Sequence, residues 1–526
     1  MEFNLADLFE RVADTVPDHL ALVEGNRRLT FAEVDERATR LAHALAARGV
    51  GPGDHVAIYL YNSVEYLETM LAAFKLRAVP VNVNYRYIEE ELRYLLADAD
   101  AVALIFHHEF AAKVYAIAPA LPSLHTCIDI DDYEAVLASG SPTRDFTPRS
   151  ADDLYVLYTG GTTGMPKGVL WRHEDLFFGA MGGAGGGGKP IATPGEISER
   201  CRVPRTRCVA ACPFMHGTAH WVAFSTLFMG GTVIIPEQHH FDARALLQLI
   251  AGEHANFVVI VGDAFARPIL DALDTDTGRA LDLSQLHVIL SGGAILSPSL
   301  KRALVDRLPA LLVVDGYGAS ETGGQGQSVV VAGGDVPSAP QFRVGADTQV
   351  LGTDLRPVGV GVVGLLARRG HIPLGYYKDP EKSAITFPVV DGVRWAVPGD
   401  HARLEPDGMI TLLGRGSVSI NTGGEKVYPE EVEAVLKSHA AVFDAIVVGA
   451  PDERFGERVV AVVAPRADTP EPTLDALQQH ARTHLAGYKV PRDLVLVEAI
   501  ERSPSGKPDY RWARELAAPT RGTVGS

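Results

Sequence analysis

The sequence predicts an α/β protein: a large N-terminal domain of mixed, mostly parallel sheets covered by helices, followed by a small α+β C-terminal domain. Three observations predict it. The 526 residues exceed the range in which one hydrophobic core keeps growing, so two or more domains are expected. Short apolar strands alternate with helical segments along most of the chain, the pattern of parallel, covered sheets. Near Gly414 the texture changes to a compact helix–strand–strand–helix pattern, which leaves a second domain of about 110 residues.

Residues 1–17 mix Glu2, Asp7, Glu10 and Arg11 with Leu5, Leu8, Phe9 and Val12. That is the start of an amphipathic helix, not a basic n-region ahead of an apolar h-region. Thr30, with Glu33 three residues on, reads as the N-cap of a helix whose apolar face carries Val34, Ala38, Leu41 and Leu45. Gly51-Pro52-Gly53-Asp54 then turns the chain into a strand at 56–60. Further strands are expected at 102–106, 154–158, 231–235 and 257–261, separated by helical segments such as 243–254. Residues 182–188 read Gly-Gly-Ala-Gly-Gly-Gly-Gly and are expected to form a mobile surface loop. Pro406-Asp407-Gly408 turns a hairpin ahead of Gly414. Beyond it the pattern gives a helix at 429–438, strands at 442–449 and 459–465, and a helix at 473–484.

Composition excludes several functions. A net charge of −17 lacks the excess of Lys and Arg that neutralises a nucleic-acid backbone. No apolar run approaches the roughly 20 residues of a membrane-spanning helix, so a soluble protein is expected. The four cysteines, Cys127, Cys201, Cys208 and Cys212, are too few for a disulfide framework and suit a reducing cytoplasm, so a cytoplasmic protein is expected. Cys208, Cys212 and His216 hold no CxxC pair, and their neighbours Val209, Ala210 and Ala211 read as a buried strand, so buried thiols are preferred to zinc. Gly183 to Lys189 fits G-x4-G-K, but Pro190 stands where a phosphate-binding P-loop needs Ser or Thr.

The most informative stretch is Tyr158-Thr159-Gly160-Gly161-Thr162-Thr163-Gly164-Met165-Pro166-Lys167-Gly168. A strand runs out into glycines that let backbone amides approach phosphate oxygens, threonines that add hydroxyl donors, and one lysine that adds charge. Alone, it could equally be a glycine-rich hairpin turn. Four further motifs follow in order: Tyr317-Gly318-Ala319-Ser320-Glu321-Thr322, Gly399-Asp400, Gly414-Arg415 with Gly423-Gly424-Glu425-Lys426-Val427-Tyr428-Pro429, and Ser503-Pro504-Ser505-Gly506-Lys507.

Across essentially the whole chain, this series resembles the adenylate-forming superfamily of acyl-CoA synthetases, luciferases and peptide-synthetase adenylation domains. The resemblance implies an ATP-dependent acid–thiol ligase that makes an acyl-adenylate and passes the acyl group to coenzyme A. By the same resemblance, Thr159, Gly160, Gly161, Thr162, Thr163, Gly164 and Lys167 grip the phosphates. Glu321 and Thr162 hold Mg2+, with Thr322 beside them. Gly292, Gly293 and Ala294, together with Asp315, Gly316, Tyr317 and Gly318, line the adenine pocket, and Tyr317 stacks on the base. Asp400 accepts from both ribose hydroxyls, and Arg415 reaches ribose or phosphate. Lys507 is the catalytic cation. His216, in Pro213-Phe214-Met215-His216-Gly217, lies between the acid and the thiol tunnel, and Trp221, Phe224, Phe228 and Met229 suit either an apolar acyl pocket or core packing.

The family works in two domain arrangements, which implies a large domain at 1–414, a hinge at 415–419 and a mobile small domain at 420–526. Rotation would carry Gly423, Gly424 and Lys426 toward the pantetheine tunnel. Ser417 departs from the Asp or Lys usual at that place, which leaves the hinge residue itself open. A homodimer is compatible with the resemblance. No aspartate follows His216 to bind an amino group, and no carrier domain follows Lys507, which weighs against a peptide-synthetase module. Gly160 in place of Ser, the run Val169-Leu170-Trp171-Arg172-His173-Glu174-Asp175, and Pro80-Val81-Asn82-Val83-Asn84-Tyr85-Arg86-Tyr87 resemble actinobacterial acyl-CoA synthetases acting on fatty acids and steroid side-chain carboxylates. Both acids stay open, as do an aryl-CoA ligase, a luciferase-like enzyme and a catalytically silent nucleotide-binding protein.

Overall fold

The computed structural model describes residues 2–161, 164–185, 188–203, 206–337, 340–415, 419–422, 425–452, 455–467, 469–502 and 508–518. Among them, two sheets build the large N-terminal part. In the first, the strands Leu20–Glu24, Thr232–Ile235, Arg207–Ala210, Phe257–Ile260, Val288–Gly292 and Leu312–Ala319 run parallel in that spatial order. The second places Thr126–Asp129, Ala101–Phe106, His55–Tyr59, Val79–Asn82 and Leu154–Gly161 parallel. Runs of Val, Ile, Leu and Ala suit these strands because helices cover both faces.

Between the sheets lies the main core, with Phe9, Phe31, Phe74, Trp171, Phe177, Phe214 and Phe224 fully buried. The helix Val64–Leu76 is buried on every side, so it carries no polar face and its charges must be paired. Glu65 meets Arg27 at 2.6 Å, Glu68 meets Arg37 at 2.6 Å, and Lys75 meets Glu10 and Asp35 at 2.6 and 2.8 Å. The helix Phe31–Ala46 starts with the capping box read from the sequence, Thr30 and Glu33 bonding each other's backbone N–H.

Antiparallel strands continue the first sheet: Gly323–Val330, Gln341–Val344, Ile410–Arg415, Asp400–Leu404, Val363–Arg368 and Thr348–Leu351. This extension is missing from the sequence reading, apart from the hairpin at 406–408. The last of its strands in the chain ends at Arg415, and the first strand of the small sheet, Ile420–Thr422, follows. The hairpin Val442–Asp452 with Gly456–Pro465 centres the small sheet, between the helix Pro429–Lys437 on one face and Tyr510–Ala517 on the other. No helix among the described residues is long and apolar enough to cross a membrane. None of the four cysteines forms a disulfide, and burial pushes the Cys208 and Cys212 thiols up to about 12.

Candidate active site

The described residues of the glycine-rich stretch lie on two paired strands. Leu154–Gly161 and Gly164–Arg172 pair antiparallel, with Thr159 opposite Lys167 and Tyr158 opposite Gly168. The first of these strands is held parallel against Val79–Asn82, so it ends at the carboxyl edge of a parallel sheet, where ligands of α/β folds bind. A two-residue strand, Gly375–Tyr376, pairs on the outer side of the hairpin, and Tyr377 N–H donates to Gly168 O at 2.7 Å. That strand delivers two residues the sequence reading did not single out. Asp379 forms an ion pair with Lys167 and N-caps the helix Pro380–Thr386, and the Lys167 contact holds its carboxyl below the ordinary range. Tyr376 lies 5.9 Å beneath Lys167 Nζ and donates its hydroxyl to Glu321 Oε1 at 2.9 Å. Asp379-Pro380, an N-cap followed by Pro at N1, was the available signal.

Glu321 sits in the turn between Leu312–Ala319 and Gly323–Val330. Three groups fix that turn. Trp171 Nε1 donates to Ser320 O at 3.1 Å, and Thr322 Oγ1 accepts from Ala319 N at 3.0 Å. The buried Arg368 guanidinium donates to the carbonyls of Thr322 and Gly324. Gly323 has φ +66°, and a Cβ there would lie 2.4 Å from Gly179 O, so no other residue fits. Thr322 is therefore fully buried and its hydroxyl is engaged within its own turn.

The expected adenine segments lie side by side. Ser291 registers with Asp315 and Gly292 with Gly316 in parallel strands. A Cβ on Gly292 would lie 3.3 Å from Thr218 Cγ2, which brings the first turn of the helix Gly217–Phe228 against this corner. Asp315 does not present a free carboxylate. It is buried and paired with Lys301 at 2.5 Å, and burial pushes its carboxyl up to about 6 despite that lysine. The Tyr317 ring packs 5.5 Å from that of Phe342. Asp400 is buried and pairs in register with Arg415 on the next strand.

His216 is the N-cap residue of Gly217–Phe228 and is half-buried. Beneath it runs a buried chain: Trp221 Nε1 donates to Tyr155 Oη at 3.2 Å, Tyr155 Oη lies 2.6 Å from His220 Nε2, and His220 Nδ1 lies 2.6 Å from Phe214 O. Trp221, Phe224 and Phe228 belong to the main core, with Met229 packed against it. Of the expected site residues, Thr162, Thr163, Gly423, Gly424 and Lys507, with 503–506, lie outside the described residues. For Gly160, Gly161, Gly164, Arg415 and Lys426 only the strand backbone is described.

The family model for the AMP-binding enzymes matches residues 9–377, and that for the AMP-binding enzyme C-terminal domain matches 431–507. The 3-oxocholest-4-en-26-oate–CoA ligase of Rhodococcus rhodochrous is 48% identical, over 98% of this chain and 96% of its own. A medium/long-chain-fatty-acid–CoA/3-oxocholest-4-en-26-oate–CoA ligase of Mycolicibacterium smegmatis is 46% identical, over 98% of this chain and 97% of its own. Among solved structures, ATP-bound MatB from Rhodopseudomonas palustris is similar with a TM-score of 0.82 and 27% identity, over 98% of this chain and 99% of that one. Fold and sequence together define an adenylate-forming enzyme. The chain belongs to the AMP-binding enzyme family, as an AMP-forming acid–thiol ligase that uses ATP and coenzyme A.

Proposed function

We propose that the acid is hydrophobic, a steroid side-chain carboxylate in the first place, and that the enzyme acts in the cytoplasm. The observation that carries this reading is the 48% identity to the 3-oxocholest-4-en-26-oate ligase. A medium- or long-chain fatty acid is the second reading, favoured by the double name of the mycobacterial relative. Four cysteines without a disulfide fit a reducing compartment.

The chemistry runs in two steps. The carboxylate oxygen attacks the α-phosphorus of ATP and expels pyrophosphate. The thiol of coenzyme A then attacks the acyl carbonyl and releases AMP. Both partners of the first step are anionic, so the site must neutralise charge and hold an in-line geometry. The backbone amides of 159–164 cradle the phosphates, and Lys167 exchanges Asp379 for a phosphate oxygen. Tyr317 faces the adenine, beside Gly292, Gly293 and Ala294, while Asp400 and Arg415 take the ribose. Glu321, with one oxygen tied by Tyr376, has the hard carboxylate donor that Mg2+ prefers, and with Thr162 it would hold that ion. Bound there, Mg2+ would supply charge neutralisation at the phosphates. His216 borders the acid. Lys507 supplies the cation between carboxylate and α-phosphate, and rotation of 420–526 about 415–419 withdraws it for the second step.

Pyrophosphate release against a panel of steroid, fatty, aryl and amino acids, with and without coenzyme A, tests the reading. A preference of about tenfold or more in kcat/KM for the steroid acid is expected. Preference for an amino acid, or turnover independent of coenzyme A, would overturn it. Lys507→Ala is expected to lower acyl-adenylate formation by at least about 10²-fold while sparing thioester formation from supplied acyl-adenylate.

A further inference from the structure

The parallel ladder between Val79–Asn82 and Leu154–Gly161 registers at Val81 and Val156. One residue further on, a side chain takes over. Tyr158 N–H donates to Asn82 Oδ1 at 2.7 Å, and Asn82 Nδ2 donates to Tyr158 O at 2.8 Å. The carboxamide thus pairs with Tyr158 as a neighbouring strand would. Its second N–H donates to Met215 O at 2.7 Å. Asn82 is nine-tenths buried, and only a carboxamide offers one acceptor and two donors in this arrangement.

The two chain segments joined in this way are the two halves of the proposed site. Tyr158 precedes Thr159, where the phosphate-gripping loop begins, and Met215 precedes His216. A second asparagine provides an internal comparison. Asn62, beyond the end of His55–Tyr59, accepts from Phe214 N–H at 2.6 Å and donates to Cys212 O at 2.9 Å and Ala210 O at 3.3 Å. It grips the same segment as Asn82, yet none of these bonds reaches the glycine-rich hairpin.

We propose that Asn82 is a positioning residue that sets the spacing between the phosphate loop and the acid-binding segment at His216, and so the in-line approach of carboxylate to α-phosphorus. This rests on the adenylating function proposed above. Reacting groups must be held near 3–3.5 Å apart, and a misplacement of about 1 Å costs on the order of 10²-fold in rate. Each segment alone could still bind its own ligand, so the loss belongs in kcat and not in nucleotide affinity.

The test compares Asn82→Ala with Asn62→Ala. The readouts are acid-dependent pyrophosphate release, the Kd of a non-hydrolysable ATP analogue, and Tm. Asn82→Ala is expected to lower kcat about 10²-fold with the analogue's Kd changed less than about threefold. Asn62→Ala is expected to lose less than about tenfold in kcat at a comparable drop in Tm. Asn82→Asp keeps the acceptor for Tyr158 N–H and the residue's size but loses both donors. It is expected to match the alanine variant, which covers poor folding of the latter. Equal kcat losses in the Asn82 and Asn62 variants, or a wild-type rate in Asn82→Asp, would overturn the proposal while leaving the ligase reading standing. Failure of the unmodified enzyme to release pyrophosphate with any acid would instead remove that reading and this proposal together.

Discussion

Glu321 was legible as a carboxylate in a motif; what holds it was not. Its Oε1 accepts the Tyr376 hydroxyl at 2.9 Å, and the same ring lies under Lys167. One aromatic residue thus orients the carboxylate and supports the lysine, while Asp379 occupies the lysine. A hydrogen bond to a charged group contributes roughly 1.5–3 kcal/mol. Tyr376→Phe keeps the ring and removes only the hydroxyl, so Glu321 gains rotamer freedom and must be reordered around an ion. The expected outcome is a drop of about tenfold or somewhat more in kcat/KM and a higher Mg2+ concentration for half-maximal pyrophosphate release. An unchanged Mg2+ titration would separate Glu321 from metal binding.

At the scale of elements, two helices begin on polar segments that only function while neutral. In His173–Ala180 the first residue accepts at Nδ1 from Asn4 Nδ2 at 3.0 Å and from Leu5 N–H at 3.3 Å, which requires that nitrogen to be unprotonated. In Gly217–Phe228, His220 lies between the Tyr155 hydroxyl and Phe214 O, the pattern of a neutral imidazole with its proton on Nδ1. Burial pushes both imidazoles from 6.5 to about 4. A histidine whose folded pKa is depressed is held neutral, so its stability contribution is full above pH 6.5 and is lost as pH falls toward 4. At pH 5 each histidine should have lost about 2 kcal/mol. Urea unfolding at pH 7 and pH 5 checks this, and His220→Gln should show a smaller loss between the two than the unmodified chain.

The same elements show what the sequence can and cannot announce. Thr30 with Glu33, or the apolar runs at 56–60 and 102–106, announce themselves because capping and burial are local or periodic. The strands from Gly323–Val330 to Ile410–Arg415 are partly exposed and glycines interrupt their alternation, and part of their pairing, such as Gln341–Val344 with Ile410–Arg415 and Val363–Arg368 with Asp400–Leu404, joins segments far apart in sequence. The partners Tyr376, Asp379 and Asn82 were hidden for the same reason, each lying 55 or more residues from the group it serves. The motifs in order carried the reaction; the contacts that orient them come from the fold.

For the whole molecule, one contact between the two domains is charged and buried. Lys437, last residue of the helix Pro429–Lys437, places Nζ 3.5 Å from Asp263 Oδ2 in the large domain and 3.5 Å from Asp444 Oδ1 in its own. Burial alone would depress this amine, but Asp444 and then Asp263 outweigh it and raise the pKa. Beside it, the buried Arg267 guanidinium lies 5.1 Å over the Phe443 ring. Asp444 also meets Arg502 of its own domain at 2.6 Å, so the partner of Lys437 from across the domains is Asp263, whose Oδ1 accepts from Ser297 N–H at 2.7 Å. Removing Lys437 takes from the buried Asp263 its ion-pair partner in this arrangement and leaves it only the attraction of Arg267, a cost of about 3 kcal/mol. In the rotated arrangement proposed above, water would solvate Asp263 and that cost would disappear. Lys437→Met should therefore move the balance between arrangements, changing the ratio of acyl-adenylate formation to thioester formation by about tenfold or more. Asp263→Asn, which removes the stranded charge, should restore most of that ratio in the double variant. Equal change in both half-reactions would mean that the pair stabilises the fold without biasing the domains, and rapid-quench measurement of each half-reaction distinguishes the two.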